Sequence, residues 1–177
     1  MKNSLFFILL TLFLVSCSTS QPRRPIHPKP STTIFQDNIE ATKKIFQLEE
    51  AEILKFIKKD SLNLYISSSK GFWYTYNIRV EAKSAMPKPG NIVELTYDIR
   101  DLNDSILYSK EVLGVKNYQV DKEDFISGIQ KGIKLMKVGE TITFVIPSYN
   151  AFGISGDGNK IGIYKTIKST VTLLNIK

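Results

Sequence analysis

The chain has 177 residues, 42% of them hydrophobic, with 24 Lys and Arg against 17 Asp and Glu, a formal net charge of +7, one cysteine and one histidine. Such a length holds one domain and an appendage, and its lysines are interspersed with acids rather than gathered in a block, which argues against a nucleic-acid partner. A lone cysteine excludes an intrachain disulfide, and the lone histidine, His27, has no ligand partners nearby, so no metal site is expected.

Residues 1–16, MKNSLFFILLTLFLVS, carry one lysine, an almost unbroken apolar run and then small residues, the pattern of an export signal rather than of a lasting transmembrane span. LVSC, Leu14 to Cys17, resembles a bacterial lipobox, in which the cysteine is lipidated and becomes the mature N-terminus. The expectation is a lipid anchor at Cys17 in a bacterial membrane, facing the periplasm; a plain secretory signal with an incidental cysteine is the alternative. Residues 17–33 are polar and proline-rich without periodicity and read as an extended tether. Arg23, Arg24 and Lys29 lie close to the anchor, either to rest on anionic head groups or simply for solubility.

From residue 34 to about residue 60 there is no glycine or proline and much Glu, Lys, Ala, Leu and Ile, which predicts a helix. Phe35, Ile39, Phe46, Ile53 and Ile57 form one stripe within about 40° on a helical wheel, while Ile45, Leu48, Leu54 and Phe56 lie off it. Apolar surface on more than one side leaves two readings, packing on its own domain or a homodimer through the 34–59 helix, and the lack of a sustained heptad favours the first. The Lys/Glu pattern of this helix reads as a solvated face.

Residues 61–85 change period. Leu62, Leu64 and Ile66 alternate with polar residues, and FWYTYNIRVEA is dense in aromatic and β-branched side chains, so this region reads as strands joining the helix to the domain. MPKPGN is a turn, IVELTYDIRD a strand with Val93, Leu95, Tyr97 and Ile99 on one face, NDS a turn and ILYSKEVLG strand-like. KEDFISGIQKGIKLMKV, residues 122–138, predicts a short helix with acids first and lysines last, and Phe125, Ile129, Ile133 and Met136 on its buried face. TITFVIP and STVTLLNIK close the chain as strands, which makes the class α+β.

FVIPSYNAFG, residues 144–153, ends a buried strand at Pro147 and places two aromatics, Tyr149 and Phe152, just beyond it, either as caps on the core or as the lining of an apolar pocket. Taken singly, Tyr97, Phe125 or Ile129 would be core residues of a small sheet and helix. GDGNK lacks the alternating acids of a calcium loop, and the late glycines do not open a helix as a phosphate loop would.

In order, PKPGNIVELTYDI, DFISGIQKGIKLMKVGETITFVIPSYNAFG and STVTLLNIK make residues 86–177 resemble an FKBP-type peptidyl-prolyl isomerase domain, a bent antiparallel β-sheet wrapped around a short helix, here preceded by an N-terminal helix. The whole arrangement looks like the gliding-motility-associated isomerase lipoproteins of Bacteroidetes. The resemblance implies prolyl isomerisation without a cofactor, with proline-containing exported polypeptides as partners. It places Tyr97 on a pocket-lining strand and Phe125 and Ile126 where the family has an apolar pair, the Ile126 N–H donating to the substrate carbonyl. Ile129 falls at the pocket floor, Phe152 at the covering loop tyrosine, Leu107 at a wall phenylalanine and Ile161 at a loop isoleucine. Four departures go with it. Tyr108 stands where the family has an aspartate, Phe152 lacks the hydroxyl, Ser169 replaces an aromatic wall residue, and the loop after Gly153 lacks two prolines.

Overall fold

A computed structural model describes residues 31–81 and 84–177, so the expected export signal, Cys17 and most of the expected tether lie outside the described residues. The chain divides into units 1–39 and 40–177. The first described element is helix α1, Ser31–Lys59, most of which belongs to the second unit. Among the described residues no helix is long and apolar enough to cross a membrane.

Eight strands follow: β1 Ile66–Ser68, β2 Phe72–Ile78, β3 Ile92–Tyr97, β4 Ile99–Arg100, β5 Ile106–Tyr108, β6 Lys116–Gln119, β7 Thr141–Ile146 and β8 Ile167–Ile176. They form one antiparallel sheet in the order β1-β2-β7-β8-β3-β6, with β4 joined to both β5 and β8. Two short helices complete the unit, α2 Lys110–Leu113 and α3 Ser127–Gly132, the latter running into a 3-10 turn at Ile133–Leu135. A helix against an antiparallel sheet is the α+β arrangement the sequence predicts.

The core lies between α3 and the sheet, where Ile129, Ile133, Phe144, Ile146, Leu95 and Val171 are all buried. Gly128 and Gly132 let α3 lie directly on β7. A Cβ at Gly128 would stand 2.5 Å from Ile146, and one at Gly132 2.5 Å from Phe144, so any side chain would push the helix off the strand. All six residues of β7 are buried, because β2 and β8 flank it and α3 covers it.

Three elements differ from expectation. The 122–138 helix shrinks to Ser127–Gly132 and a 3-10 turn, because Ile126, at ψ 115°, is extended, leaving Phe125 and Ile126 on non-helical backbone. ILYSKEVLG bends after Tyr108 into α2, which ends at Gly114 with φ 65°. Leu62 and Leu64 do not join the sheet. They are 94% and 83% exposed, and pairing starts only at Ile66. The sheet nevertheless reaches upstream of residue 86, since β2 pairs with β7 from Trp73 to Ile78 across one bulge.

Between β3 and β4 the strand breaks at buried Asp98. Its Oδ1 accepts the Thr170 N–H at 2.8 Å, its Oδ2 accepts Arg100 Nε at 2.9 Å, and its carbonyl accepts Ser169 Oγ at 2.7 Å. Three bonds to one residue fix the bend where Tyr97 is presented.

Candidate functional site

Tyr97, Ile99, Tyr108, Leu113, Asp124, Phe125, Ile126, Ala151, Phe152 and Asp157 line one cleft of about 480 Å³. They arrive from β3, β4, β5, α2, the extended segment before α3, and the loop after β7, so the cleft exists only when these elements have come together. The Tyr97 ring meets Phe125 edge-on at 5.2 Å and 86°, and Phe125 lies tilted against buried Tyr118 at 5.3 Å. Such ring pairs add about 0.5–1.5 kcal/mol beyond the area they bury and hold Phe125 in one orientation. Burial pushes the Tyr97 hydroxyl above the usual phenol range, so it stays a neutral O–H at neutral pH.

The extended backbone at Ile126 turns its carbonyl into α3, where it accepts the Gln130 N–H at 2.9 Å. Among the described residues the Ile126 N–H donates to no main-chain acceptor. A helix start normally carries such donors, and here one stands beside an apolar cleft.

Tyr108, in the place expected for an aspartate, donates its hydroxyl to the Asp157 carboxylate. Asp157 Oδ1 accepts the N–H groups of Asn159 at 2.9 Å and Ile161 at 2.8 Å, and the Asp157 N–H donates to the Ile161 carbonyl at 3.0 Å. GDGNK is thus a knot tied around one aspartate. The Tyr108 hydrogen bond holds the Asp157 carboxyl below its ordinary range and, from the other side, raises Tyr108. Lys160 Nζ stands 5.1 Å from the Tyr108 ring and donates to the Leu107 carbonyl at 2.9 Å, joining loop to strand a second time.

Of the residues singled out from sequence, Tyr97, Tyr108, Phe125, Ile126 and Phe152 meet at the cleft. Ile129 is fully buried in the core and Ile161 is 2% exposed, so both side chains point into packed interior rather than onto the lining. Leu107 packs against the core from a half-buried position. Ser169, expected near the wall, spends its hydroxyl on Asp98. Ile99, Leu113, Asp124, Ala151 and Asp157 were not singled out. Ile99 was legible as the next inward position after Tyr97, whereas Leu113 depends on a helix that the sequence reads as strand.

The loop that carries Phe152 is gripped from below. Glu49 of α1 is 6% exposed, and its carboxylate accepts the Ser148 N–H at 2.5 Å, Ser148 Oγ at 2.9 Å and Thr166 Oγ1 at 2.5 Å. Asn150 donates to the carbonyls of Lys70 at 3.0 Å and Gly71 at 2.7 Å, and accepts Lys131 Nζ at 2.6 Å. Tyr149 packs edge-on against Phe46 of α1 at 5.1 Å, so it belongs to this lower side and not to the cleft.

The family model for FKBP-type peptidyl-prolyl cis-trans isomerases matches residues 83–174. Over 101 residues the chain is 30% identical to a probable FKBP-type peptidyl-prolyl cis-trans isomerase FkpA from Neisseria meningitidis; the match takes in 57% of this chain and only 37% of that protein. The fold is similar to the crystal structure of a peptidyl-prolyl cis-trans isomerase from Pseudomonas syringae pv. tomato, with a TM-score of 0.62, 20% identity, and coverage of 77% of this chain and 96% of that one. It is also similar to FkpA from Escherichia coli, with a TM-score of 0.60, 23% identity, and coverage of 100% of this chain and 82% of that one. The matched stretch holds the cleft, the knotted loop and the strands that frame them, and with more than half of the sequence inside it the chain belongs to the FKBP-type peptidyl-prolyl cis-trans isomerase family.

Proposed function

We propose that the protein is a prolyl isomerase tethered by a lipid on Cys17 to a bacterial membrane, facing the periplasm and acting on proline-containing exported polypeptides, gliding-machinery components among them. The observation that carries the activity is the convergence of Tyr97, Phe125 and Phe152 from three separate elements on one apolar cleft beside the Ile126 N–H.

Rotation about an X-Pro amide passes through a twisted bond without resonance, behind a barrier of ~18–20 kcal/mol. No bond to another atom breaks, so neither a nucleophile nor a metal is required. A dry aromatic wall withdraws the water that favours the planar, more polar amide, and a fixed donor holds the carbonyl while the bond turns. In this reading the proline ring rests on Tyr97 and Phe125, the Ile126 N–H holds the carbonyl, and Phe152 covers the substrate.

A second reading, a client-binding module without catalysis, draws support from two features. Phe152 has no hydroxyl, and the Tyr108 hydroxyl is already committed to Asp157. The full chain should accelerate cis-to-trans relaxation of proline test peptides, with Phe152→Tyr faster still. Rates equal to the uncatalysed reaction across varied substrate sequences, while Phe125→Ala still abolishes function in cells, would leave binding alone. For the anchor, Cys17→Ala should move the protein from the membrane fraction to the soluble periplasm; no change in distribution would remove that part of the proposal.

A further inference from the structure

Ser148 and Thr166 bracket a loop of the chain that contains Phe152, Asp157 and Ile161, and both donate to one carboxylate carried by a different element. Ser148 uses its N–H and its Oγ, Thr166 its Oγ1, and the acceptor is Glu49, 99 and 117 residues away in sequence. All three groups are at most 6% exposed. A carboxyl group removed from water must have its lost hydration replaced, and these three donors supply that replacement at one place. Ser148 also accepts the N–H groups of Ala151 at 2.9 Å and Gly153 at 2.8 Å on its carbonyl, so a shift of Ser148 is passed directly to the two neighbours of Phe152. At the other end Tyr164, two residues before Thr166, donates its N–H to the Gly153 carbonyl at 2.9 Å, which ties that foot of the loop to the same point.

We propose that Glu49 is a positioning residue for the isomerase site, its carboxylate clasping both feet of the 148–166 loop so that Phe152 and Asp157 stand over the cleft. Through this contact α1 sets the geometry of a site it does not touch. The proposal rests on the prolyl isomerase reading for its kinetic consequence and on the clasp alone for its structural one.

The full chain carrying Glu49→Gln tests it, compared with Val93→Ala, a buried β3 substitution that costs stability without touching the loop. Under conditions where every variant is folded, Glu49→Gln should raise amide exchange between Tyr149 and Lys165 by about ten-fold while β3 and β8 keep their protection. It should lower kcat/KM on a proline peptide by about five-fold, with Glu49→Asp recovering part of the loss. Val93→Ala should do neither. Should Glu49→Gln fail to fold, Thr166→Val, which removes only the distal donor, should show the same two effects at smaller size. Loop exchange and kcat/KM both unchanged in the variants, or exchange raised equally throughout the sheet, would overturn the clasp. If the parent chain has no isomerase activity, the exchange experiment still decides the clasp, and only the functional reading falls.

Discussion

Around the cleft, Tyr97, Phe125 and Tyr118 meet as rings and Phe152 joins the same lining, whereas on the underside of the same loop Glu49, Ser148, Thr166, Asn150 and Lys131 meet as hydrogen-bonded polar atoms. Ring contacts set which way a ring faces but lose energy only gradually as the rings slide, so the cleft side tolerates small displacements. Buried hydrogen bonds fail abruptly once a partner moves, because an unsatisfied buried group costs about 1–3 kcal/mol. The loop therefore has one adaptable surface and one fixed surface, and under the proposed activity a twisting amide calls on both.

The sharpest way to separate the two surfaces is Phe125→Ala. It removes the ring that joins Tyr97 to Tyr118, and we expect kcat/KM to fall about ten- to a hundred-fold while the stability loss, read from the denaturant midpoint, stays within about 2 kcal/mol. A loss confined to stability would place Phe125 with the core instead. On the fixed side, Gly71→Ala should cost about 1 kcal/mol, because Gly71 has a φ of +81° and its added Cβ would press to 3.0 Å on Asn150 and Tyr149. Its effect on kcat/KM should be smaller than that of Phe125→Ala, and the reverse order would erase the contrast between the two sides.

The smallest effect belongs to Tyr108 and Asp157, which bridge the surfaces at the rim. Asp157 titrates below its unfolded value, so its contribution is present above the ordinary aspartate range of about 4 and is lost as pH falls through the lowered value. Tyr108 titrates above its own unfolded value, so its contribution is present below about 10 and is lost as pH rises through the raised value. Both residues are only half-buried, so solvent screens the pair and the effect is modest. Thermal melts should show the parent losing slightly more stability than Tyr108→Phe between pH 6 and pH 3; parallel losses would mean that the hydroxyl and the carboxylate are not coupled.

The cleft side was legible in sequence because its residues keep local grammar. Tyr97 and Ile99 alternate along a strand, DFISGI precedes a helix, and the aromatic of the loop follows a proline stop. The polar side was not, because nothing near Glu49 distinguishes it from Glu50 and Glu52, both exposed, on a helix whose charges read as a solvated face. Its burial is decided by Ser148 and Thr166, about a hundred residues downstream. Asp157 is hidden for a related reason: nothing in GDGNK marks its acid as the acceptor for main-chain N–H groups of its own turn and for a tyrosine from β5. The over-long 122–138 helix came from correct periodicity at Ile129, Ile133 and Met136 extended backward over Phe125, where the chain instead stays extended and faces the cleft.

The pairing of β2 with β7 bears on where the protein can be cut. The family match begins at residue 83, yet Trp73, Tyr74, Thr75, Tyr76 and Ile78 are paired with β7 from upstream of that point. Removing everything before residue 83 would strip one side of TITFVI, an uncharged, proline-free, β-branched run, and leave it as an open edge. Such an edge invites pairing with a second chain, so the truncated domain would be prone to aggregation.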